Sequence, residues 1–170
     1  MRWALFLVVL CGACSRPASP QRDPTKADLA LKQVSVRSYS GGSLRVVTTA
    51  DTLDVFREAG TPGDLVAHDA GVLLVRDGTR LTAPLVTGNF LSGQLEGTGG
   101  VVMFGKGGLR AKSPHVAFDR AQGAGGMASS DAGVWLAQPG LTLTADGFVM
   151  DLADEHATFE QAKTEFQEAR

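Results

Sequence analysis

From Leu31 onward, apolar and polar residues alternate in short runs separated by turn-forming residues. The clearest stretch is Ser129 to Asp151. Val134 and Leu136 share one face of a strand, Pro139-Gly140 turns the chain, and Leu141 with Leu143, then Phe148, Met150 and Leu152, share faces of the return strand. A period of two is that of a pleated strand, whose successive side chains point to opposite sides. The same rule predicts strands over Leu31 to Ser38 (Leu31, Val34, Val36, with imperfect alternation), Leu44 to Thr49, Thr52 to Arg57, Val72 to Arg76, Thr79 to Val86, Leu91 to Phe104 and Leu109 to Phe118. Ala59 to Asp64 and Gly123 to Gly126 are turn signals, and Asp77-Gly78 supplies the positive φ of a two-residue hairpin turn. Gly97, Gly99 and Gly100 point to a bulge or a close backbone approach, and Pro114 to an edge or a break.

The chain also echoes itself. Gly108 to Asp119 overlays Gly140 to Asp151 at an offset of 32 residues, and Val46 to Leu53 is a looser copy. Repeated strand units stack hairpins into a continuous sheet, which favours a surface or groove over a catalytic pocket. The tail supports two readings. Phe159, Ala162 and Phe166 recur at helical spacing among helix-forming residues from Glu155 to Arg170. The strands elsewhere argue instead that the tail finishes the sheet, with one bulge near Glu160-Gln161.

The start of the chain has a different character. Met1-Arg2 precedes an apolar run from Trp3 to Leu10, about half of the roughly 20 residues a membrane-spanning helix needs. That length fits the core of a secretory signal. Gly12 and Ala13 before Cys14 fit a bacterial lipoprotein cleavage site, with Cys14 as the acylated first residue of the mature protein; an ordinary secretory signal or a short uncleaved anchor is the competing reading. Cys11 stands where that pattern usually has Leu. Ser15 to Lys26 is polar, carries three prolines and reads as a tether.

Composition narrows the classes. Roughly 140 residues beyond the tether suit one domain. The 21 glycines, with abundant Val, Thr and Leu, point to an all-β domain, and a net charge of -2 argues against bulk electrostatic capture of nucleic acid. Both cysteines, Cys11 and Cys14, lie in the signal region, so the folded part can form no internal disulfide or cysteine metal site.

Candidate chemistry is sparse. Gly100 to Lys106 has the glycine-lysine spacing of a phosphate loop, but Gly107 follows where magnesium ligation needs Ser or Thr, and the intervening Val-Val-Met-Phe is a strand. His68, His115 and His156 lack metal-ligand spacing, so no metal and no cofactor is expected. Ser129-Ser130-Asp131 has no nearby basic partner for nucleophilic chemistry. Asp119, Asp146, Asp151 and Asp154 read as solvent-facing acids that keep strand surfaces polar. Lys106, Arg110, Lys112 and Arg120 cluster in sequence, either to meet lipid phosphates at a groove mouth or as a solvated face that keeps an edge from aggregating.

Several strings together resemble a known family: L-E-G-T-G-G-V-V-M-F (Leu95 to Phe104), G-L-R-A-K-S-P-H-V-A-F-D (Gly108 to Asp119), A-S-S-D-A-G-V-W-L-A-Q-P-G-L-T-L-T-A-D-G-F-V-M-D-L (Ala128 to Leu152) and A-T-F-E-Q-A-K-T-E-F (Ala157 to Phe166). The chain is similar to the periplasmic lipopolysaccharide-export component LptC and its OstA-like relatives. The match runs from about Leu29 to Phe166 and is specific from about Leu95. The chain departs from the pattern at Ala132-Gly133, where Pro is usual before Val134, and at Ala162, where Val is more usual. A lipobox-like signal stands in place of the family's transmembrane helix.

The resemblance implies an all-β, open β-jellyroll of antiparallel strands with an apolar groove between two sheets. Taken with the lipobox-like start, this divides the chain into a signal peptide (1–13), a lipidated N-terminus and tether (14–28), the jellyroll (29–166) and a polar tail (167–170), and the resemblance makes Thr158 to Phe166 the closing edge strand. The implied function is non-enzymatic: lipopolysaccharide passes from an inner-membrane ABC transporter to a periplasmic OstA-like bridge protein. Alternation in the echoing units makes Leu109, Ala111, Val116, Phe118, Leu141, Leu143, Phe148 and Met150 the groove candidates. Gly147, Phe159, Ala162, Thr164 and Phe166 are the partner-edge candidates. The expected place is the periplasm, anchored through Cys14; Ser15 favours the outer membrane under the enterobacterial sorting pattern, whereas the implied function needs the inner one. A cell-envelope scaffold lipoprotein is the alternative function.

Overall fold

The computed structural model describes residues 26–58, 61–76, 78–89, 91–120, 126–151 and 156–166. Cys14 and the signal, Asp77, Leu152 and Asp154 lie outside them. The described chain is all-β. Its strands are β1 (Leu29–Ser40), β2 (Ser43–Glu58), β3 (Thr61–Leu74), β4 (Thr79–Asn89), β5 (Gln94–Phe104), β6 (Arg110–Asp119), β7 (Met127–Ser130), β8 (Val134–Gln138), β9 (Leu141–Ala145), β10 (Gly147–Asp151), β11 (His156–Glu160) and β12 (Lys163–Phe166). A single 3-10 turn, Lys106–Gly108, joins β5 to β6.

The strands form one antiparallel sheet of 12, not closed into a barrel. From β1 to β6 each strand pairs with the next in the chain. At β6 the sheet branches. The C-terminal end of β6 pairs with β7 through Ala117 to Asp119, and its N-terminal end with β8 through Arg110 to Lys112. One branch continues as β7-β10-β11 and the other as β8-β9-β12. The sheet therefore has two halves: the long strands run through both, and the short later strands serve one each.

The halves meet along a line of backbone irregularities that crosses the strands. Gln33 in β1 and Asp69 in β3 have φ of 50° and 49°. The β4–β5 and β5–β6 ladders slip register between Thr82 and Leu85 and between Thr98 and Val101. Pro84, Gly99 (φ 81°) and Gly100 (φ 102°) occupy those breaks. Pro114 lies in β6, Asp146 separates β9 from β10, and Gln161 (φ 49°) separates β11 from β12. Pro has no amide hydrogen to give a ladder, and an extra residue bends the strand that holds it.

This line resets the alternation. Inward-facing residues step by two within a half and by three across the line from Leu31 to Val34, Ala50 to Leu53, Ala67 to Ala70, Ala83 to Val86, Ser113 to Val116 and Ala145 to Phe148, and by four from Gly97 to Val101, where Gly99 and Gly100 are both extra. The imperfect pattern of Leu31, Val34 and Val36 is one such reset. The 32-residue echo is two passes of the chain across the line, because Pro114 and Asp146 take equivalent places in it. Residues flanking the line are small and buried: Ala50, Ala67, Ala83, Ser113, Ser130 and Ala145.

Several sequence boundaries change. Leu44 to Thr49 and Thr52 to Arg57 are one strand, β2, whose ladder resumes beyond Asp51. The return strand after Pro139-Gly140 is two strands, β9 and β10, which pair with different neighbours. Pro114 marks a break and not an edge, since β6 is the central branching strand. The tail is strand: β11 and β12 cover Thr158 to Phe166 as terminal strands, interrupted at Gln161-Ala162 where the bulge was expected.

Candidate apolar face

Directly opposed residues in antiparallel strands project from the same side of a sheet, so the registers define rows. One row of the first half is Leu29–Val55–Leu65–Gly88–Leu95–Phe118–Ala128–Met150–Ala157. Next to it run Leu31–Leu53–Ala67–Val86–Gly97–Val116 and then Ser130–Phe148–Phe159. In the second half the matching row is Val36–Thr48–Val72–Leu81–Met103–Ala111–Leu136–Leu143–Thr164. A cluster of Ala50, Leu65 and Ala67, packed by Val34, Leu53, Ala70, Val86 and Leu95, carries the apolar face across the line of breaks.

The groove candidates fall on this face in two groups. Val116, Phe118, Phe148 and Met150 lie in the first half. Ala111 and Leu143 share a row in the second, Leu141 lies one row further out opposite Gln138 and Phe166, and Leu109 precedes β6 at the matching phase. All eight are half-buried. Among the described residues no large side chain is fully buried; the most buried apolar ones, Val55 and Leu65, retain 6% exposure. Phe148 and Phe159 set their rings 6.4 Å apart across β10 and β11.

The opposite face of the first half carries polar rows. Asp64, Asn89, Gln94, Asp119, Met127 and Asp151 are successive partners, as are Val66, Thr87, Glu96, Ala117, Ser129 and Val149. A cleft of about 770 Å³ is walled mainly by these two rows. Of the eight candidates only Phe118 contributes to it. The Asn89 amide donates to Asp64 Oδ1 at 2.8 Å and the Gln94 amide to Asp119 Oδ2 at 3.4 Å, holding the strand ends together.

Buried hydroxyls fasten the branch point. The Ala132 N–H donates to Ser130 Oγ at 3.2 Å, Ser130 Oγ lies 2.9 Å from Ser113 Oγ, and Ser113 Oγ reaches the carbonyl oxygens of His115 and Gly133 at 2.7 and 2.8 Å. Ser113 has one proton, so it donates to one of those carbonyls while accepting from Ser130. This chain ties β6 to the β7–β8 turn and satisfies both hydroxyls. Ser130 therefore serves as a structural link. The His115 ring faces carboxylates instead, with Nε2 3.2 Å from Glu96 Oε1 and Nδ1 3.6 Å from Asp131 Oδ1. Each acid meets a different ring nitrogen, and no metal-holding group of His, Cys, Asp and Glu occurs among the described residues. The Gly100 to Lys106 spacing falls on β5 and the start of the short 3-10 turn that leads into β6, not on a loop before an α-helix that could face a phosphate.

The partner-edge candidates sit at or beside terminal strands. Phe159 is in β11; Thr164 and Phe166 are in β12, with Phe166 82% exposed. Gly147 begins β10 opposite Glu160. Ala162 lies between β11 and β12, outside both registers.

The basic residues that adjoin in sequence separate in space. Arg110 and Lys112 alternate with inward Ala111, so they project from the face opposite the groove candidates and do not border them, while Arg120 follows the other end of β6, in the first half. The combination that sequence reading missed is cross-strand: Arg110 stacks on Phe104 at 5.8 Å and Lys112 on Trp135 at 5.7 Å. Pairing the predicted hairpins would have been needed to find it.

No helix of the described residues is long and apolar enough to cross a membrane. No family model matches the chain, and no curated protein does. The class defined by the fold is thus an all-β protein with one large antiparallel sheet, apolar on one side.

Proposed function

We propose that this protein is a non-enzymatic, lipid-handling component of lipopolysaccharide export, held in the periplasm by an acylated Cys14, on the inner membrane. It would receive lipopolysaccharide from an inner-membrane ABC transporter and pass it to an OstA-like bridge protein. The observation that carries this reading is the apolar face: it runs across nine strands, yet no large side chain on it is fully buried. A scaffold of this size would fill its interior with side chains. A surface that stays half-covered can instead take acyl chains, each methylene of which gains about 0.8 kcal/mol when removed from water. The lipid's sugars and phosphates would remain in solvent. Directional energy must come from the transporter. The terminal strands β1, β11 and β12 each have one side unpaired within the sheet, which suits extension of the face into a neighbouring protein by strand addition.

Photocrosslinking in cells tests this. A photoreactive residue at Phe148 or Met150 should trap lipopolysaccharide, and one at Val149, between them on the opposite face, should trap far less. Preferential trapping from Val149 and Asp119 would move the lipid site to the polar cleft. Absence of adducts from all four positions would leave the scaffold reading in place.

A further inference from the structure

The face opposite the apolar one is divided by charge. In the first half its rows carry Asp64, Glu96 and Asp119. In the second half, two adjacent rows read Arg37–Val47–Leu73–Arg80–Phe104–Arg110–Ala137–Thr142–Glu165 and Ser35–Thr49–Gly71–Thr82–Val102–Lys112–Trp135–Thr144–Lys163. Glu165, on a terminal strand, is the one acid in these rows. At the centre, Phe104 is flanked on its two neighbouring strands by Arg80 and Arg110, and Lys112 is the direct partner of Trp135. Leu73, Phe104 and Trp135 are 37%, 45% and 36% exposed, so large apolar groups stand in water beside these cations.

We propose that this face docks the domain onto an anionic lipid bilayer surface. Cations supply the long-range attraction to lipid phosphates, and rings beside them seat at headgroup depth, where aromatic side chains prefer to lie. The charge division orients the contact, because the acidic half is repelled by the surface that attracts the basic half. A single-stranded nucleic acid is the other polyanion such a patch could meet. It would need open ring faces for its bases to stack on, and here Phe104 and Trp135 already carry a guanidinium and an ammonium. The inference does not depend on the lipid-export reading; a scaffold lipoprotein would dock in the same way.

The test uses the full chain with Cys14→Ala, floated with vesicles of phosphatidylcholine alone or of phosphatidylcholine with phosphatidylglycerol. Binding should be at least about 100-fold tighter to the anionic vesicles and should weaken with salt. Each cation near such a surface contributes roughly a fivefold factor, so Arg80→Gln with Arg110→Gln and Lys112→Gln should lose about 100-fold. Removing three cations from elsewhere (Lys26→Gln, Lys32→Gln, Arg120→Gln) should leave most of the preference. The N-terminal segment, which carries Arg2, Arg16 and Arg22 beside its apolar run, is the same in both triple variants, so the difference between those variants reports the patch. Trp135 emission, measured in a Trp3→Phe chain with the basic face intact, should shift to the blue with anionic vesicles only. Equal loss in the two triple variants, an unshifted Trp135, or a patch-dependent preference for a single-stranded oligonucleotide over the anionic vesicles would each overturn the proposal.

Discussion

Gly147→Ala isolates one close contact on which the branched sheet depends. Gly147 is buried at the start of β10, between β7 and β11. A Cβ there would lie 2.7 Å from the Ser130 carbonyl oxygen, about 0.7 Å short of ordinary contact, and 3.5 Å from Asp131 Cα. The Ser130 oxygen is the obstacle and is backbone, whereas Asp131 Cα sits at ordinary contact; Ser130 is held in turn by the Ser113 hydroxyl at 2.9 Å. Alanine is otherwise compatible with this backbone, and its stiffer unfolded chain would by itself stabilise the fold by about 0.5 kcal/mol. Overpacking costs about 1–3 kcal/mol, and disturbing the Ser113–Ser130 bond adds about 1 kcal/mol. The net expectation is a loss of about 2–3 kcal/mol. With a urea slope of about 1–3 kcal/mol per molar, the unfolding midpoint should fall by roughly 1 M or more. Gly71→Ala is the comparator: its Cβ meets the Thr49 hydroxyl at 3.1 Å, a side-chain atom free to rotate away, and should cost about 0.5 kcal/mol or less. Equal midpoints for the two variants would refute the claim that β7 and β10 meet too closely for a side chain.

Ser113→Ala and Ser130→Ala should each destabilise by about 1–2 kcal/mol, and the double variant by clearly less than their sum; additive losses would mean the hydroxyls act separately. Gly100→Ala has open space around it but φ of 102°, so its cost, about 1–3 kcal/mol by thermal or urea unfolding, should come from backbone strain alone. Deleting Ala153 to Arg170 removes β11 and β12 and bares the edges of β10 and β9. The shortened chain should self-associate on size-exclusion chromatography and, on the proposed function, fail to capture the bridge protein. Cys14→Ala should abolish acyl labelling of the precursor.

What the linear pattern conveyed depended on how far apart the interacting residues lie. Strands and their alternation are local properties, and they were legible; Pro114 was legible only as an edge or a break, and the pairing of β6 on both sides decides for the break. So was the echo of Gly108 to Asp119 in Gly140 to Asp151, although its meaning, two crossings of one line of breaks, needed the registers. Asp51 misled in the opposite direction. An acid is a poor strand former and lies in the gap between the strands expected over Leu44 to Thr49 and Thr52 to Arg57, yet β2 runs on past it because Val34 and Lys32 on β1 pair to either side. The apolar rows were half visible, since alternation gave their phase but not that Phe118 faces Leu95 or Met150 faces Ala128. The basic face was invisible, because Arg80, Phe104 and Arg110 come from three strands and only their pairing assembles them.

The order of pairing has a kinetic consequence. Every contact from β1 to β6 joins neighbours in the chain, so each hairpin can close as soon as its second strand is present, with short loops to order. A polypeptide entering a compartment N-terminus first would zip this meander strand by strand. The last third behaves otherwise: Met127 in β7 must wait for Asp151 in β10, and Arg110 in β6 for Ala137 in β8. Amide protection after refolding, followed by pulsed hydrogen exchange, should therefore appear in β2 to β5 before β7 and β10. In that interval the incomplete sheet would present the Arg110 to Lys112 flank of β6 and the open edge of β7, which makes the C-terminal strands the ones whose delay exposes the chain to chaperones and proteases.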